Sequence, residues 1–306
     1  MTEVDLLARL RALPLHPGAR GLADDTALIA GLVLTTDTLV EGVHFLSDDP
    51  PADVAWKLVA TNLSDLAAKG ARPEGVLLNL PLTDPAWDAA FVDGLAAVLA
   101  AYDCPLIGGD TVSLPAGAPR VLTCTALGAD AAAPPRSGAR AGDGLWVTGT
   151  IGDAGAGLAL ARGSASPLAS RHAAALLAAY RRPVPRLAEG RLLAPVVHAM
   201  MDVSDGLLID AVRMAAASGL AVAIDLAAVP LSDAYAAHTG RDRAARLAAA
   251  TAGDDYQLLF ATDVAPPPRA GAARVGSFAP GAGLTLTHDG EPVPFPPRLG
   301  FEHGLR

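Results

Sequence analysis

Apolar residues along the chain follow two patterns: short dense runs, and longer stretches in which they recur every three or four positions. Buried strands are predicted for the dense runs at 32–34, 75–82, 105–111, 121–127, 145–148, 220–226 and 256–260. Helices are predicted for 3–12, 51–69, 87–101, 167–180, 186–193 and 207–217. Since both halves of the chain mix strands and helices, the pattern predicts an α/β (α+β) fold with two mixed α/β halves.

The stretch from Ala129 to Gly142 separates these halves. It is rich in Ala, Pro and Gly, a composition typical of a connection between folded units. We therefore place a boundary here and predict one domain at 1–133 and a second at 134–306. Each half places Asp at strand–loop junctions, but no strict sequence repeat relates the two, so a duplication remains an open alternative.

Composition narrows the possible function classes. Hydrophobic residues make up 51% of the 306 positions, enough for a substantial core. The net charge of −9 argues against a general nucleic-acid-binding surface. If an acidic protein binds phosphates, metal ions are needed between its carboxylates and the phosphate groups. The longest stretch free of Asp, Glu, Lys and Arg runs from Val275 to His288, which is too short to span a membrane.

Cys104 and Cys124 each lie beside an apolar stretch, and they offer neither zinc spacing nor a disulfide framework. We expect buried free thiols, which are consistent with a reducing compartment. The first five residues are acidic and lack a signal-peptide pattern. These observations predict a cytoplasmic protein that binds neither membranes nor nucleic acid.

Two hydroxyls and a carboxylate, Thr35, Thr36 and Asp37, follow directly on the apolar run 32–34. Ligands usually sit at strand ends in α/β sheets, and oxygen-only ligands suit Mg²⁺. The alternative is a turn in which these side chains bond the local backbone. Acids recur at similar junctions, namely at Asp24, Asp25, Asp65, Asp110, Asp202, Asp205, Asp254 and Asp255. This recurrence predicts a site with several Mg²⁺ ions that bridge a polyphosphate.

Local alternatives stay open at several of these places. Asp65 can bind a metal, face water or pair with Lys69 four residues later. The paired Gly108 and Gly109 allow close approach of the backbone to a ligand. The glycine-rich turn at 149–157 can hold phosphate at a helix N-terminus, although tight packing of helix on sheet suits it better.

The sequence holds only two lysines, Lys57 and Lys69, and no Gly-Lys pair, which excludes a P-loop. It also lacks the lysine-bearing strand and the catalytic-loop motif of protein kinases. If this chain transfers phosphoryl groups, metals and arginines must supply the positive charge. On this view we expect both lysines to be replaceable by arginine.

Short motifs with acidic and hydroxyl side chains span nearly the whole chain. They are Ala23-Asp24-Asp25-Thr26, Thr35-Thr36-Asp37-Thr38, Asn62-Leu63-Ser64-Asp65, Gly108-Gly109-Asp110-Thr111, Arg136-Ser137-Gly138-Ala139, Asp202-Val203-Ser204-Asp205 and Gly253-Asp254-Asp255-Tyr256. The set resembles the thiamine-monophosphate kinases, within the superfamily of aminoimidazole ribonucleotide synthetase and selenophosphate synthetase. Val40-Glu41-Gly42-Val43-His44-Phe45 and the terminal Gly-Phe-Glu-His point to the thiamine enzymes in particular.

The resemblance implies an architecture. The N-terminal half would bind ATP and metals and pair with its partner in a homodimer to form a β-barrel. The C-terminal half would be a sheet covered by helices that completes the active-site cleft. ATP and several Mg²⁺ ions would lie in the cleft between the halves.

The resemblance also implies roles for single residues. Metals would be held by Asp25, Thr35, Thr36, Asp37, Asp65, Asp110, Asp202 and Asp205. ATP would contact Tyr102, Gly109, Asp110, Arg136 and Ser204. Thiamine monophosphate would meet His44, Asp254 and Phe301. The family carries Glu where Asp254 stands, and usually Glu where Gln257 stands.

The implied chemistry is direct in-line transfer of the γ-phosphoryl group of ATP to the phosphate of thiamine monophosphate. Because the acceptor is already an anionic oxygen, no side chain is needed as a general base. His44 is then a substrate contact, with a structural histidine as the alternative. Two other functions stay open: another ATP-using enzyme of the superfamily, similar to aminoimidazole ribonucleotide synthetase or a hydrogenase-maturation protein, and a catalytically silent dimeric binding protein. Selenophosphate synthetase is disfavoured, since no Cys precedes Asp24.

Overall fold

The computed structural model describes residues 3–129, 133–164 and 170–302. Its N-terminal half contains helices α1 (Glu3–Arg11), α2 (Pro51–Ala68) and α3 (Pro85–Ala101) and strands β1 (Ala27–Ile29), β2 (Leu32–Val40), β3 (Arg72–Leu82), β4 (Leu106–Ser113) and β5 (Val121–Ala129). The strands form a five-stranded sheet in the order β1-β2-β5-β3-β4, in which only the β3–β4 pair is parallel. Within the described residues this sheet is open at both edges and is not a closed barrel.

The C-terminal half is a larger sheet covered by helices. Its strands are β6 (Gly144–Thr148), β7 (Ala199–Asp202), β8 (Leu220–Asp225), β9 (Leu258–Thr262), β10 (Ala272–Pro280), β11 (Gly283–His288) and β12 (Glu291–Pro292). They lie in the order β12-β11-β8-β10-β6-β9-β7. The helices are α4 (Asp153–Ala161), α5 (Ser170–Arg181), α6 (Leu187–Leu193), α7 (Leu207–Ala217), α8 (Asp233–Thr239) and α9 (Arg243–Thr251). The mixed α/β fold predicted from the sequence is confirmed.

The sequence analysis did not predict β7, β10, α8 and α9. Both helices carry a recognisable start signal, because the Ser232 and Asp242 side chains accept hydrogen bonds from the backbone three residues later, at 2.9 and 2.8 Å. The helix expected at 167–180 begins at Ser170, and residues 165–169 lie outside the described part of the chain.

The double glycine lies inside strand β4, which begins and ends within two residues of the predicted run 105–111. A Cβ atom at Gly109 would lie 1.9 Å from the carbonyl oxygen of Leu78 on β3. Close packing of neighbouring strands therefore requires glycine here, without any ligand.

Helix α2 is the element on which the two halves meet. Every residue from Lys57 to Ala68 is buried, as expected for a helix that is covered on all sides. It packs on α3, β2 and β5 in its own half and on α6 and β7 in the other. A small apolar cluster joins Ala67 and Ala68 of α2 to Leu193, Met200, Leu258 and Phe260. The end of α2 is thereby fixed between the two sheets.

Lys69, just beyond α2, is fully buried and joins the two halves. Its ammonium lies 2.7 Å from the Asp24 carboxylate and donates to the carbonyl oxygens of Pro134 and Met200 at 3.2 and 3.1 Å. Lys69 therefore pairs with Asp24. The alternative in which it pairs with Asp65 is wrong. The bulkier guanidinium of arginine cannot be expected to fit this enclosed position, so the expectation that arginine can replace both lysines is revised.

Within the described residues, no helix combines the length and the apolar character needed to cross a membrane.

Candidate active site

A cleft of about 1020 Å³ is lined by residues of both halves. Its walls come from β2, α2 and α4, from the segment after β7 and from the turn before β9. The cleft brings together eleven of the residues singled out from the sequence: Asp25, Thr35, Thr36, Asp37, His44, Asp65, Asp202, Ser204, Asp205, Asp254 and Phe301.

Three buried or half-buried carboxylates form the centre of the cleft. Burial raises the pKa of Asp37 to about 6, and the charge of Asp205 adds to this rise. Burial likewise raises the pKa of Asp202 to about 6, with a further contribution from Asp37. Burial, followed by the charges of Asp37 and Asp202, raises the pKa of Asp65 well above its ordinary value. Acids that destabilise one another in this way are typical of functional sites.

Hydroxyl and amide groups fix the orientation of these carboxylates. Thr35 donates to Asp65, and Ser64 donates to Asp202 at 2.5 Å. Asn62 accepts a hydrogen bond from the backbone of Asp37 at 3.2 Å. These contacts explain the polar residues within an otherwise apolar α2. Asp65 is buried against the cleft, so the alternative in which it faces water is wrong.

Thr36 differs from its neighbours because alternate residues of a strand point to opposite faces. Thr35 is buried beneath the sheet, whereas Thr36 is exposed on its outer face. The Thr36 hydroxyl donates to the carbonyl of Cys124 at 3.1 Å and accepts from Thr125 at 3.0 Å. Its hydroxyl is therefore engaged across the sheet, away from the carboxylates.

Asp24 and Asp25 have different surroundings. Burial alone would raise the pKa of Asp24, but the Lys69 ammonium and a hydrogen bond from the Arg136 backbone lower that pKa below its ordinary value. Asp25 faces the cleft and pairs with the guanidinium of Arg136. Among the described residues, one Asp25 oxygen and the Nε atom of Arg136 are buried without a hydrogen-bond partner. Such orphaned polar atoms indicate a ligand position.

Asp205 lies at the C-terminal side of the cleft and is held by groups that the sequence analysis missed. Arg213 pairs with both Asp205 and Asp210, the latter at 2.9 Å. Asp210 accepts hydrogen bonds from the backbone of Asp205 and Gly206 at 3.1 and 3.2 Å. Burial and the nearby Asp205 charge raise the pKa of Asp210 to about 7. Asp210 thus supports the start of α7.

The turn before β9 approaches the segment after β7 closely. The backbone of Asp254 donates to the Ser204 carbonyl at 2.7 Å. A Cβ atom at Gly253 would lie 2.6 Å from the same oxygen, so only glycine fits. Asp254 and Tyr256 have φ angles of 67° and 50°. Left-handed backbone is strained for a bulky residue such as tyrosine, and such strain concentrates at functional sites.

The glycine-rich turn before α4 binds a carboxyl group of the chain itself, that of Asp255. The buried carboxylate of Asp255 accepts hydrogen bonds from the backbone of Gly152 and Ala154, at 2.8 and 3.4 Å. A carboxylate at a helix N-terminus occupies the position that a phosphate would need. The packing interpretation of this turn is therefore supported, and the phosphate interpretation is not.

Four of the residues implied by the resemblance lie outside the cleft lining. Arg136 reaches the cleft through its ion pair with Asp25. Tyr102 packs edge-on against the ring of Trp56. Gly109 and Asp110 lie on the exposed edge strand β4.

The sheet register defines how far β4 lies from the carboxylates. Asp37 is opposite Cys124, Cys124 is opposite Leu78, and Leu78 is opposite Gly109. Three strand spacings separate β2 from β4, a distance of about 14 Å. The fold of one chain therefore does not bring Asp110 to the other acids.

The donors present fit Mg²⁺. They are carboxylate and hydroxyl oxygens, the ligands that this hard cation prefers. Asp37, Asp65 and Asp202 share a buried space in which their charges repel one another, and one oxygen of Asp25 has no partner among the described residues. A divalent cation would remove both the repulsion and the orphaned acceptor.

Known proteins resemble this chain along most of its length. Residues 23–129 match the protein family described as "AIR synthase related protein, N-terminal domain", and residues 140–260 match the family of its C-terminal domain. Thiamine-monophosphate kinase of Salmonella typhimurium is 39% identical over 308 residues, covering 92% of this chain and 91% of that protein. The enzyme of that name from Caulobacter vibrioides is 38% identical over 337 residues, covering 99% and 91%.

A solved structure, "AaThiL complexed with AMPPCP and TMP", superimposes with a TM-score of 0.85. It is 29% identical and covers 99% of this chain, which in turn covers 97% of that one.

Proposed function

Because the chain belongs to the thiamine-monophosphate kinase family, we propose that its cleft binds ATP and thiamine monophosphate side by side and aligns them for in-line phosphoryl transfer. The reaction is the ATP-dependent phosphorylation of thiamine monophosphate to thiamine diphosphate, with Mg²⁺ as the metal. The observation that carries the proposal is the group of mutually repelling carboxylates, Asp37, Asp65 and Asp202, that faces the cleft.

The metal-binding residues are assigned by their oxygen donors. In our proposal Mg²⁺ is held by Asp25, Thr35, Thr36, Asp37, Asp65, Asp110, Asp202 and Asp205. When bound, the metal screens the charge between two anionic phosphates and polarises the bond that breaks. Thr36 lies on the outer face of β2. To bind the metal, its hydroxyl would either have to break its hydrogen bond to the Cys124 carbonyl, or bind where a second copy of the chain packs on this face.

The nucleotide would be bound by Tyr102, Gly109, Asp110, Arg136 and Ser204. Arg136 supports this assignment because its guanidinium already binds a carboxylate oxygen in the cleft. A phosphate can replace that carboxylate, since an arginine fork binds both groups in the same geometry. No general base is required, because the oxygen that attacks is a phosphate oxygen and carries no proton that must be removed.

The organic part of thiamine monophosphate would contact His44, Asp254 and Phe301. Nδ1 of His44 accepts a hydrogen bond from the backbone of Val40 at 2.9 Å, so in the neutral ring the proton lies on Nε2. The Phe301 backbone donates to the Asp205 carbonyl at 2.9 Å, and Phe301 lines the cleft. His303 of the terminal motif lies outside the described residues.

Replacing Asp254 by alanine tests the substrate assignment. Asp254→Ala is expected to raise the KM for thiamine monophosphate roughly tenfold or more while leaving the KM for ATP nearly unchanged, since the carboxylate lies at the substrate end of the cleft. Asp254→Glu, the residue typical of the family, should keep or improve activity. Steady-state kinetics with each substrate varied in turn is the measurement. If Asp254→Ala changes only thermal stability, Asp254 merely supports its turn.

We propose further that the protein acts as a homodimer in which β4 completes the site of the partner. Large apolar side chains are exposed along β4, β3 and the start of β5: Leu77, Leu82, Leu106, Ile107, Val112 and Val121. An open edge with exposed apolar residues needs a covering partner. The distance between Asp110 and the acids of its own chain supports the same arrangement.

Subunit complementation tests this arrangement. Asp37→Asn and Asp110→Asn are each expected to be inactive, whereas a mixture of the two after subunit exchange should regain up to about a quarter of wild-type activity, because mixed dimers keep one intact site. Recovery requires Asp110 to act across the interface. Mixed dimers that form, as shown by two affinity tags, but remain inactive would disprove action in trans.

The domain assignment is part of the same proposal. Residues 1–133 form the ATP-binding, metal-binding and dimerisation domain, and residues 134–306 complete the cleft. We also propose a cytoplasmic location, which is consistent with the free, buried thiols of Cys104 and Cys124.

A further inference from the structure

Lys57 is a buried cation at the border between the two halves. It lies in the middle of α2 with 2% of its surface exposed. Its ammonium donates to Asp254 at 2.6 Å and to the backbone carbonyl of His44 at 3.1 Å, and it lies 4.3 Å from the ring centroid of Tyr180. An ammonium has three N–H donors, and Lys57 has three neighbours that can receive them. They come from the loop after β2, the turn before β9 and helix α5.

The ring beneath Lys57 is itself fixed. The Tyr180 hydroxyl donates to Asp49 at 2.7 Å, and the other oxygen of that carboxylate receives a hydrogen bond from Arg181 at 3.0 Å. Tyr180 is 2% exposed, so this ring has little freedom to move. Lys57 therefore rests on a rigid platform and can transmit its position to the groups that it contacts.

The Asp254 carboxylate is held on both of its oxygens. Lys57 contacts Oδ2, and the hydroxyl of Tyr256 donates to Oδ1 at 3.1 Å. The Asp254 side chain remains 32% exposed and lines the cleft. The backbone of this turn is fixed by its hydrogen bond to Ser204, so the ion pair with Lys57 determines where the carboxylate points.

We propose that Lys57 is a positioning residue for thiamine monophosphate, which fixes Asp254 and the His44 loop in the arrangement that receives the organic part of the substrate. This inference rests on the proposed function, because it deepens the assignment of these two residues to the substrate. Lys57 acts through Asp254 and not on the phosphates, since its donors are directed at protein groups. It also joins the N-terminal and C-terminal walls of the substrate end by a single side chain.

The direct test is Lys57→Met, which keeps an unbranched apolar side chain only one atom shorter and removes the charge. We expect the KM for thiamine monophosphate to rise roughly 10- to 100-fold, the effect of losing a charge-assisted hydrogen bond to Asp254. The KM for ATP should stay within about twofold. Isothermal titration of thiamine monophosphate into the Mg²⁺-loaded protein should show the same loss of affinity, independently of turnover.

If Lys57→Met does not yield folded protein, as judged by circular dichroism, Lys57→Arg carries the test. Arginine keeps the charge but places its donors differently. We expect a smaller rise in the KM for thiamine monophosphate, again without a matching rise for ATP. An unchanged KM for thiamine monophosphate in either folded variant would overturn the inference, and so would an equal rise for both substrates.

Asp53→Asn is the matched control. Asp53 lies on α2, four residues before Lys57, and pairs with Arg182 directly after α5. The substitution removes an ion pair between the same two parts of the fold without reaching Asp254. Both KM values should remain at their wild-type levels. A rise in the KM for thiamine monophosphate equal to that of Lys57→Met would mean that the α2–α5 contact alone is responsible, and the inference would fail.

A double variant separates action through Asp254 from direct contact with the substrate. If Lys57 acts through Asp254, Lys57→Met in the Asp254→Ala background should add less than about twofold to the KM of Asp254→Ala alone. If the two effects multiply, Lys57 acts independently of Asp254, and its role in positioning that carboxylate is wrong. Turnover by the wild-type protein separates failure of the proposed function from failure of the inference about Lys57. If it does not convert thiamine monophosphate at all, the proposed function fails; if it does and Lys57→Met behaves as wild type, only this inference fails.

Discussion

Asp37→Asn is expected to lower kcat/KM roughly 1,000-fold or more, a loss of about 4 kcal/mol of transition-state stabilisation, while the protein stays folded. Asp37 lies on the inward face of β2 among acids of both halves, where one amide in place of a carboxylate removes a unit of the negative charge that would hold Mg²⁺. The amide is nearly isosteric, so the packing of β2 on α2 is retained.

The stability of this variant should move in the opposite direction from its activity. In the metal-free protein the Asp37 charge lies close to Asp205 and Asp65 and opposes folding. Asp37→Asn is therefore expected to unfold at a higher temperature than the wild type when both are free of metal. Asp93→Asn, an exposed position on α3, is the control and should change neither property. An unfolded or fully active Asp37→Asn protein would contradict the metal role of this residue.

Chelation should stop turnover completely, and excess Mg²⁺ should restore it. The chain supplies few cations to the cleft, so the charge of two phosphates has to be balanced by metal. Excess EDTA is expected to reduce the rate to background, and readdition of Mg²⁺ to return it to its initial value. Turnover that persists in excess chelator would exclude the metal-assisted mechanism.

The same carboxylates make metal-free stability depend on pH. Asp37 and Asp202, each with a pKa of about 6 in the folded state, and Asp65, whose pKa is also raised, bind protons more tightly when folded than when unfolded. The folded state therefore holds more protons from about pH 4 to pH 6, so the free energy of unfolding falls as pH rises across that range. Their contribution is fully present below about pH 4 and is lost above their folded pKa values.

Thermal unfolding at pH 5 and pH 7, with EDTA and with Mg²⁺, is the measurement for this pH dependence. In EDTA the melting temperature should be lower at pH 7 than at pH 5, and Mg²⁺ should raise it more at pH 7, where the cluster is ionised. Asp37→Asn should show a weaker dependence on pH. A Mg²⁺ effect that is equal at both pH values would show that these acids do not hold the metal.

Much of the candidate site could be predicted from sequence, because its acids and hydroxyls follow local rules. Thr35 and Asp37 follow an apolar run, Asp65 interrupts an otherwise apolar helix, and Asp202 precedes the predicted helix at 207–217. Each is an acid or hydroxyl at a position where burial would be costly without a partner. The boundaries of α7 were predicted to the residue, because its apolar period is regular and Gly206 precedes it.

Contacts between distant parts of the chain could not be predicted in this way. The pairing of Lys57 with Asp254 and of Lys69 with Asp24 depends on how α2 is enclosed by the two sheets, and no local period encodes that. The separation of Asp110 from the other acids follows from the strand order, which the sequence pattern leaves undetermined. The outward direction of Thr36 depends on the register of β2 in the same way.

The most direct test of the proposed function is a single reaction. The protein is incubated with γ-labelled ATP, Mg²⁺ and thiamine monophosphate, and the products are separated by chromatography. We expect thiamine diphosphate that carries the label, in a one-to-one ratio with ADP, and no such product when Asp37→Asn replaces the wild-type protein. ADP formed together with free labelled phosphate and no thiamine diphosphate, or binding of both ligands without any ADP, would contradict the proposed function.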